Sequence, residues 1–375
     1  KVIESRTRSF ASWGRGTTLQ QYLERDARSD NHEVSKDHRL ITLVLARRDF
    51  PDSLDFLCSC ETFRRDGLVA RVATSAGADN IVEEVNGYAI ASVFTPEWNR
   101  GKGYAKHMMS LVHWVIGRRG FLEIDRFPAE WGSPPQRPRF VEDGEFSVLY
   151  SDVGPRFYQM TGPTMENTGG WQVTESTSTM WNVRSAHALL LSHNEGSQDW
   201  RWLDKDAVKQ AWKADVQVMK RELSIGPASH PISFTALPTR GVAEFQYHRL
   251  EQFWSKMEPM PIYWGISSGT SEYAVPNVST FATWTLDFRP PVMNRLIITR
   301  FRTPLDTFES LLFQITDFAK RHSVDEVEVW NLPSHFRDIA QRSEGRTFTR
   351  EDHLSSFKWY GSGNSNNVSW AYNEK

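Results

Sequence analysis

Apolar and polar positions alternate along the chain with two distinct periods. Residues 3–13 and 17–29 carry apolar side chains at helical spacing, the second run opened by Thr17-Thr18 and striped by Leu19, Tyr22 and Leu23. Arg39-Leu-Ile-Thr-Leu-Val-Leu-Ala46 predicts a buried strand ended by the Pro51-Asp52 turn, and 54–63 a second strand paired in a hairpin. Residues 67–80 predict a weak strand and a small-residue loop. Residues 83–95 predict a long strand that delivers the chain to Pro96. A helix over 103–117 follows, with Met108, Leu111, Val112, Val115 and Ile116 on its apolar face.

The next stretch, 121–145, has no clean period and holds Pro128, Pro134, Pro135 and Pro138, so a long ordered loop of lid type is expected over 127–140. Phe146–Tyr150 predicts a strand, with Ser151 or Asp152 capping a short helix over 154–160 that Gly162-Pro163 ends. One more strand is expected over 171–183. Two helices, a meander and strand–helix units predict a mixed sheet in an α/β or α+β domain.

Past a polar stretch at 189–198, helices are expected over 204–223 and 242–254, and a hairpin over 281–288 and 295–301. A helix over 305–322, a strand over 326–330 and a helix over 334–341 follow. Lys358-Trp-Tyr360 and 368–372 read as closing strands across the loop 361–367. This order loosely repeats the first half, so a second, degenerate α+β domain is expected. The boundaries read as 1–185 for the first domain, 186–203 for a linker, and 204–375 for a second domain that contributes to a substrate pocket between the halves.

Composition narrows the class. With 39% hydrophobic and 24% charged residues the chain is an ordinary globular protein, and a net charge of −2 leaves no footprint for nucleic acid or an anionic membrane. Fifteen Trp and 22 Phe predict large aromatic cores. Cys58 and Cys60, the two cysteines, share one strand face at i, i+2 and read as unbonded core residues of a reducing, cytoplasmic compartment. The numbering opens on Lys1 where a natural start would carry Met, so a trimmed N-terminus is expected. Oligomeric state is open.

The stretch Ala91-Ser-Val-Phe-Thr-Pro-Glu-Trp-Asn-Arg-Gly-Lys-Gly-Tyr-Ala-Lys-His-Met-Met109 carries the most chemistry. Glycines at a strand-to-helix turn expose backbone N–H groups, and the helix N-terminus adds about half a positive charge. Arg100 and Lys102 bring full charges to the same place. Such a turn holds a pyrophosphate without a metal.

Arg100-Gly-Lys-Gly-Tyr-Ala105, following a strand and Thr-Pro-Glu-Trp, resembles the acetyl-CoA signature of GNAT N-acetyltransferases, Gln/Arg-x-x-Gly-x-Gly/Ala. Gly101 and Gly103 match its glycines. Trp98 stands at its leading Gln/Arg position, and Arg100 is expected to supply that charge. Phe157-Tyr-Gln-Met-Thr-Gly162 resembles the superfamily's Phe-Tyr-x-x-x-Gly element. Ser59-Cys-Glu-Thr-Phe63, Ile90-Ala-Ser-Val-Phe94, Ser147-Val-Leu-Tyr-Ser-Asp-Val-Gly154, Lys358-Trp-Tyr-Gly361 and Tyr372-Asn-Glu-Lys375 further resemble fungal L-lysine N-acetyltransferases of the lysine-degradation type. The resemblance implies a GNAT mixed sheet flanked by helices, followed by a second GNAT-like domain.

It also implies acetyl-CoA as co-substrate, held by Arg100, Gly101, Lys102, Gly103, Tyr104 and Ala105. The strand before the turn splays in the superfamily, and an amide near Val93 and Phe94 would polarise the thioester carbonyl. Tyr158 is the implied acid for the departing thiolate, with Tyr150 as fallback; a phenol of pKa about 10 is neutral beforehand. A base must take a proton from an ammonium of pKa about 10.4. Glu61, Glu83, Glu84 and Asp152 are candidates, as is a water chain with no single base. Glu61 ranks ahead on the expectation that it stands isolated after an apolar segment, whereas Asp152 suits a helix cap.

His107 and His113 lie at i, i+6 and His32 and His38 in loops, so no metal is expected. Asp287, Arg289, Arg300 and Arg302 form either a substrate-carboxylate reader or a solvated hairpin face. The expected function is acetyl transfer to a small-molecule amine, the ε-amino group of free L-lysine, by direct attack in a ternary complex. The alternatives are the same chemistry on a secondary-metabolite or toxin amine, and a non-catalytic acyl-CoA-binding regulator.

Overall fold

A computed structural model describes residues 1–75, 77–166, 168–192, 199–226, 230–268, 280–288 and 293–374. The chain opens with α1 (Val2–Trp13), α2 (Leu19–Ser29), β1 (Leu40–Leu45), β2 (Cys58–Arg71), β3 (Ile81–Phe94) and α3 (Tyr104–Ile116). It continues through β4 (Phe146–Ser151), α4 (Arg156–Gln159), β5 (Gln172–Val173), β6 (Thr177–Asn182), α5 (Val183–Leu191) and β7 (Trp200–Leu203). Next come α6 (Lys205–Ile225), β8 (Ile232–Ala236), α7 (Val242–Trp254), β9 (Gly265–Ser268), β10 (Thr280–Asp287) and β11 (Arg295–Arg302). The last elements are α8 (Phe308–Arg321), β12 (Glu326–Trp330), α9 (Arg337–Arg342), β13 (Arg346–Thr349), β14 (Leu354–Trp359) and β15 (Val368–Trp370). No described helix is long and apolar enough to cross a membrane.

These elements fall into two compact units. The first comprises Lys1–Glu175, Leu223–Arg240 and Glu351–Ala371. Its sheet runs β15-β8-β2-β3-β4-β14-β5, with β1 also paired to β2. Segments far along the chain therefore complete the first sheet: β8 lies antiparallel to β2, and β14 antiparallel to β4. The two closing strands expected at the C-terminus form: β14 pairs β4 and β5, and β15 pairs β8. One sheet face packs Cys58, Cys60, Tyr88, Ile90 and Leu149 against the Met108–Ile116 face of α3, and the other packs Val148, Phe234, Phe357 and Trp359. Alternate residues of each strand serve the two layers. Both cysteines are free and buried in the α3 layer.

Helix α2 starts where the sequence signals it. Thr18 accepts from the Gln21 amide and the Gln21 side chain reaches back to Thr18, a complete capping box. The weak strand expected from residue 67 is instead the second half of β2, which runs unbroken over 14 residues.

The second unit comprises Ser176–Glu222, Gly241–Arg350 and Tyr372–Lys375, with Lys375 outside the described residues. Its sheet runs β13-β6-β12-β11-β10-β9-β7. Trp181, Trp264 and Trp284 are fully buried here with the apolar faces of α5 and α8, the aromatic core that the Trp and Phe count demands. Within the stretch 186–203, α5 occupies the start and β7 the end, and 193–198 lie outside the described residues.

The second unit repeats the plan of the first. Strand β11 leaves an antiparallel hairpin, passes Thr303-Pro304 and a short 3-10 turn, enters α8, and returns as β12 parallel to β11. Strand β3 likewise passes Thr95-Pro96 and a 3-10 turn, enters α3, and returns as β4 parallel to β3. The chain thus carries a mixed α/β sheet of one design twice.

Candidate active site

The site is built at the end of β3. This strand stays antiparallel to β2 throughout but pairs with parallel β4 only at Gly87–Ala89, opposite Phe146–Val148. From Ile90 to Phe94 it has no register partner on β4, so the two strands part inside one sheet. A β-bulge falls in the same segment: Ser59 faces Phe94 and Glu61 faces Ala91, leaving Ser92 and Val93 opposite Cys60 alone. Ser92 takes φ 54, a left-handed conformation uncommon outside glycine. Bulges re-aim the backbone of the strand that carries them. Here that backbone is Val93 and Phe94, where a carbonyl-polarising amide is expected.

The turn after Phe94 is anchored by Asn99, whose buried side chain donates to the Leu57 carbonyl at 3.2 Å. Gly101 and Gly103 have φ 75 and 81, and a Cβ at either would meet nothing within 4 Å. Backbone conformation therefore demands these glycines, and the space beside them is open. Gly103 caps α3 without a side-chain hydrogen bond, so the first amides of the helix carry no side-chain cap. Arg100 and Lys102 are exposed beside them, while Tyr104 and Ala105 form the half-buried first turn of α3. Arg100 Nε donates to the Thr95 carbonyl at 3.1 Å, which holds its charge at the turn. Open backbone amides, a helix N-terminus and two cations suit a pyrophosphate. Trp98 is 62% exposed and takes no part in the turn's hydrogen bonds.

Tyr158 sits on α4, half-buried against the α3 layer, with its ring edge-on to Trp171 at 6.2 Å. Burial raises its pKa, and Cys60 and Asp152 add to the rise, so the phenol is neutral. Its hydroxyl has no hydrogen-bond partner among the described residues. Its carbonyl, by contrast, accepts from the Thr161 hydroxyl at 2.7 Å and the Trp171 amide at 3.1 Å. Tyr150 lies on the other sheet face beside Trp370, away from α3.

His113 secures this corner. Its Nε2 lies 2.8 Å from the Thr161 carbonyl and its Nδ1 2.9 Å from the Tyr360 hydroxyl, with the ring stacked on Trp171 at 4.2 Å. Burial and then Lys358 lower its pKa to about 3, so the imidazole is neutral. Nε2–H donates to Thr161 and Nδ1 accepts from Tyr360. The sequence gives this role away only through apolar neighbours on the same helix face.

The carboxylates fare differently. Glu61 is not isolated: Oε2 accepts from Ser92 Oγ at 2.7 Å and Oε1 lies 3.9 Å from Arg6 Nε of α1. It projects from the β2 face opposite to Cys60 and Tyr158. Asp152 does not cap α4; the Ser151 hydroxyl makes that turn, donating to the Gly154 carbonyl at 2.8 Å. Asp152 instead lies 2.8 Å from His353 Nδ1 and accepts from the His353 amide at 3.0 Å. Burial raises its pKa, but these contacts with His353 outweigh that and leave it below the ordinary range. Glu83 pairs with Arg71 at 3.9 Å, and with Glu84 it lies at the far end of β3, about 30 Å from the bulge at ~3.3 Å per residue.

The lid-type segment is pinned within the first unit. Arg48 donates to the Trp131 carbonyl at 3.2 Å and the Ser133 carbonyl at 2.5 Å, and Trp131 lies edge-on to His107 at 5.2 Å.

In the second unit, Arg300 and Arg302, offered by the sequence as a carboxylate reader or a solvated face, hold the chain's own carboxylates. Arg300 donates to Asp215 at 2.6 Å and Glu374 at 2.7 Å; Arg302 donates to Asp215 at 2.8 Å and also to Glu222. Burial would lower the pKa of Arg300, but Glu374 and Asp215 together outweigh it and the pKa is raised. This cluster is neither a free reader nor a solvated face. Arg289 lies outside the described residues. No group of three or more His, Cys, Asp or Glu among the described residues could hold a metal.

Comparison with solved structures fits this architecture. The chain is similar to a GCN5-related N-acetyltransferase from Kribbella flavida, at 12% identity over 96% of this chain and 68% of that one, TM-score 0.50. It is also similar to a conserved protein of unknown function from Enterococcus faecalis V583, described as a probable N-acyltransferase, at 10% identity over 96% and 69%, TM-score 0.51. At such identities the likeness shows the fold. No curated protein matches the chain by sequence. A family model for the LYC1 GNAT-like C-terminal domain matches residues 186–375, about half of the sequence, and the chain belongs to that family.

Proposed function

We propose that the chain is an acetyl-CoA-dependent N-acetyltransferase acting on a small amine, with the ε-amino group of free L-lysine as acceptor. The observation that carries this reading is the parting of β3 from β4 beyond Ala89, beside two positive-φ glycines that open α3. A gap inside a sheet admits an extended chain such as a pantetheine arm, and the turn beside it suits the pyrophosphate. Arg100, Gly101, Lys102, Gly103, Tyr104 and Ala105 would hold the pyrophosphate, and acetyl-CoA would supply the thioester. The bulge amides of Val93 and Phe94 would stabilise negative charge that develops on the thioester oxygen.

The amine must be neutral before it attacks. Asp152 is committed to His353, and both Glu61 oxygens face other groups. The reading therefore sends the ammonium proton to water. The amine then bonds to the carbonyl carbon, the carbon–sulfur bond breaks and the thiolate takes the Tyr158 proton, while the second proton of the attacking nitrogen passes through water to restore the phenol. Lysine as acceptor is supported by the motif resemblance of Ser59–Phe63, Ser147–Gly154 and Lys358–Gly361. Thiol release from acetyl-CoA across an amine panel that includes L-lysine tests it. No turnover with any amine would sink the reading, and turnover with bulky apolar amines alone would replace the acceptor.

A further inference from the structure

We infer that Glu61 is a positioning residue for the bulge, working through the Ser92 hydroxyl, and not the base that receives the amine's proton. The inference rests on the acetyltransferase reading above. Ser92 is the one residue of β3 held at positive φ, and it lies in the bulge that orients the Val93 and Phe94 amides. An L-residue keeps that conformation only where its surroundings over-determine it. The hydroxyl supplies the constraint: Ser92 Oγ donates to Glu61 Oε2 at 2.7 Å.

Glu61 is in turn held from behind. Its Oε1 lies 3.9 Å from Arg6 Nε, and the Arg6 fork grips Asp30 at the end of α2 with bonds of 2.7 and 2.6 Å. Arg6 is itself buried, and its Nε–H makes no hydrogen bond, so the guanidinium sits against Glu61 as a charge and not as a second anchor. Asp30, Arg6, Glu61 and Ser92 form a relay of contacts from the α1–α2 layer to the strand that parts from β4. With one carboxylate oxygen taken by Ser92 and the other facing a guanidinium, neither is aimed at an incoming amine. Loss of the Ser92 tether lets its φ relax and rotates the amide that follows. A polarising amide turned away from the oxygen on which charge develops costs rate and leaves the remote pyrophosphate contacts intact.

The test measures kcat and KM for wild type, Glu61→Gln, Glu61→Ala, Ser92→Ala and the Glu61→Ala/Ser92→Ala double variant. Glu61→Ala should lower kcat about 10- to 100-fold with KM for acetyl-CoA within about 2-fold. Glu61→Gln keeps an oxygen that accepts from Ser92, so kcat should recover to within about 5-fold of wild type. Ser92→Ala should match Glu61→Ala, and the double variant should fall no further, since both break one contact. Ser92→Gly, which tolerates positive φ, should lose less than Ser92→Ala. Glu61→Gln as impaired as Glu61→Ala, with Ser92→Ala near wild type, would overturn the inference in favour of a base. Lower melting temperatures with unchanged kcat would also overturn it, in favour of a purely structural tie. If Glu61→Ala does not fold, Glu61→Gln against Ser92→Ala still decides. A wild type that acetylates no amine fails earlier, at the acetyltransferase reading, and takes the inference with it.

Discussion

Two turns of one design sit in the two units, and the first alone has positive-φ glycines flanked by cations. In both, a strand leaves a bulged hairpin, passes Thr-Pro and a 3-10 turn, and enters a helix whose following strand returns parallel. In both, the parallel pair ends early, after Ala89 on β3 and after Ile298 on β11. The first turn then has Arg100, Gly101, Lys102 and Gly103; the second passes from Leu305-Asp306-Thr307 straight into Phe308 with no glycine and an acid in the turn. A cavity of about 440 Å³ lined by Pro304, Leu305, Asp306, Glu309, Ile339 and Arg342 lies there, with two carboxylates to one guanidinium. The second strand also spends its arginines on Asp215, Glu222 and Glu374. The backbone plan is common to both units, whereas the glycines and cations that would suit an anion occur at the first turn alone.

Ways to break that contrast differ in size. Tyr158→Phe should lower kcat about 100-fold or more while acetyl-CoA affinity stays within about 2-fold, measured by steady-state kinetics and calorimetry. Arg300→Ala removes the buried guanidinium that Asp215 and Glu374 share, leaves Asp215 to Arg302, and should destabilise the second unit by about 3 kcal/mol in chemical denaturation. Gly103→Val puts a β-branched residue at φ 81 and should weaken acetyl-CoA binding by about 10-fold or more without a comparable loss of fold.

Buried His113 in the first unit and half-buried Glu222 in the second also differ in charge, which pH reads out. His113 in the first unit is neutral, with its pKa lowered to about 3 against an ordinary 6.5. Between those values the unfolded state binds the extra proton, so stability is lost as pH falls through 6.5 toward 3. Glu222 in the second unit has a lowered pKa: burial raises it, but its bonds from Arg302 and Tyr372 prevail. Its stability contribution is present above the ordinary carboxylate pKa and is lost only at lower pH. Hydrogen exchange at pH 5.5 should therefore rise around Thr161 and Trp171 before it rises around Arg300. The smallest effect is expected from Asp306→Lys, which removes an acid but creates no glycine; acetyl-CoA stoichiometry should stay unchanged.

The first turn was legible because its requirement is local: glycines, cations and an apolar helix face lie within 20 residues. The α3 stripe, α6, α7, the β10–β11 hairpin and α8 followed from periodicity for the same reason. What escaped was non-local. Nothing in Leu354–Trp359 says that it pairs with β4 some 200 residues earlier, nor in Ile232–Ala236 that it extends the first sheet beside β2. Glu61 looked solitary because Arg6 lies 55 residues before it and Ser92 31 residues after, and positive φ at a serine has no sequence mark. Arg300 and Arg302 read as either a carboxylate reader or a solvated face because the carboxylates they hold sit on α6 and near residue 374.

The central claim is that one turn of the two binds acyl-CoA. Titration calorimetry of acetyl-CoA into the wild type and Gly103→Val measures it directly. One site per chain is expected, lost or strongly weakened in Gly103→Val. Two equivalent sites per chain, or full-strength binding to Gly103→Val, would contradict it.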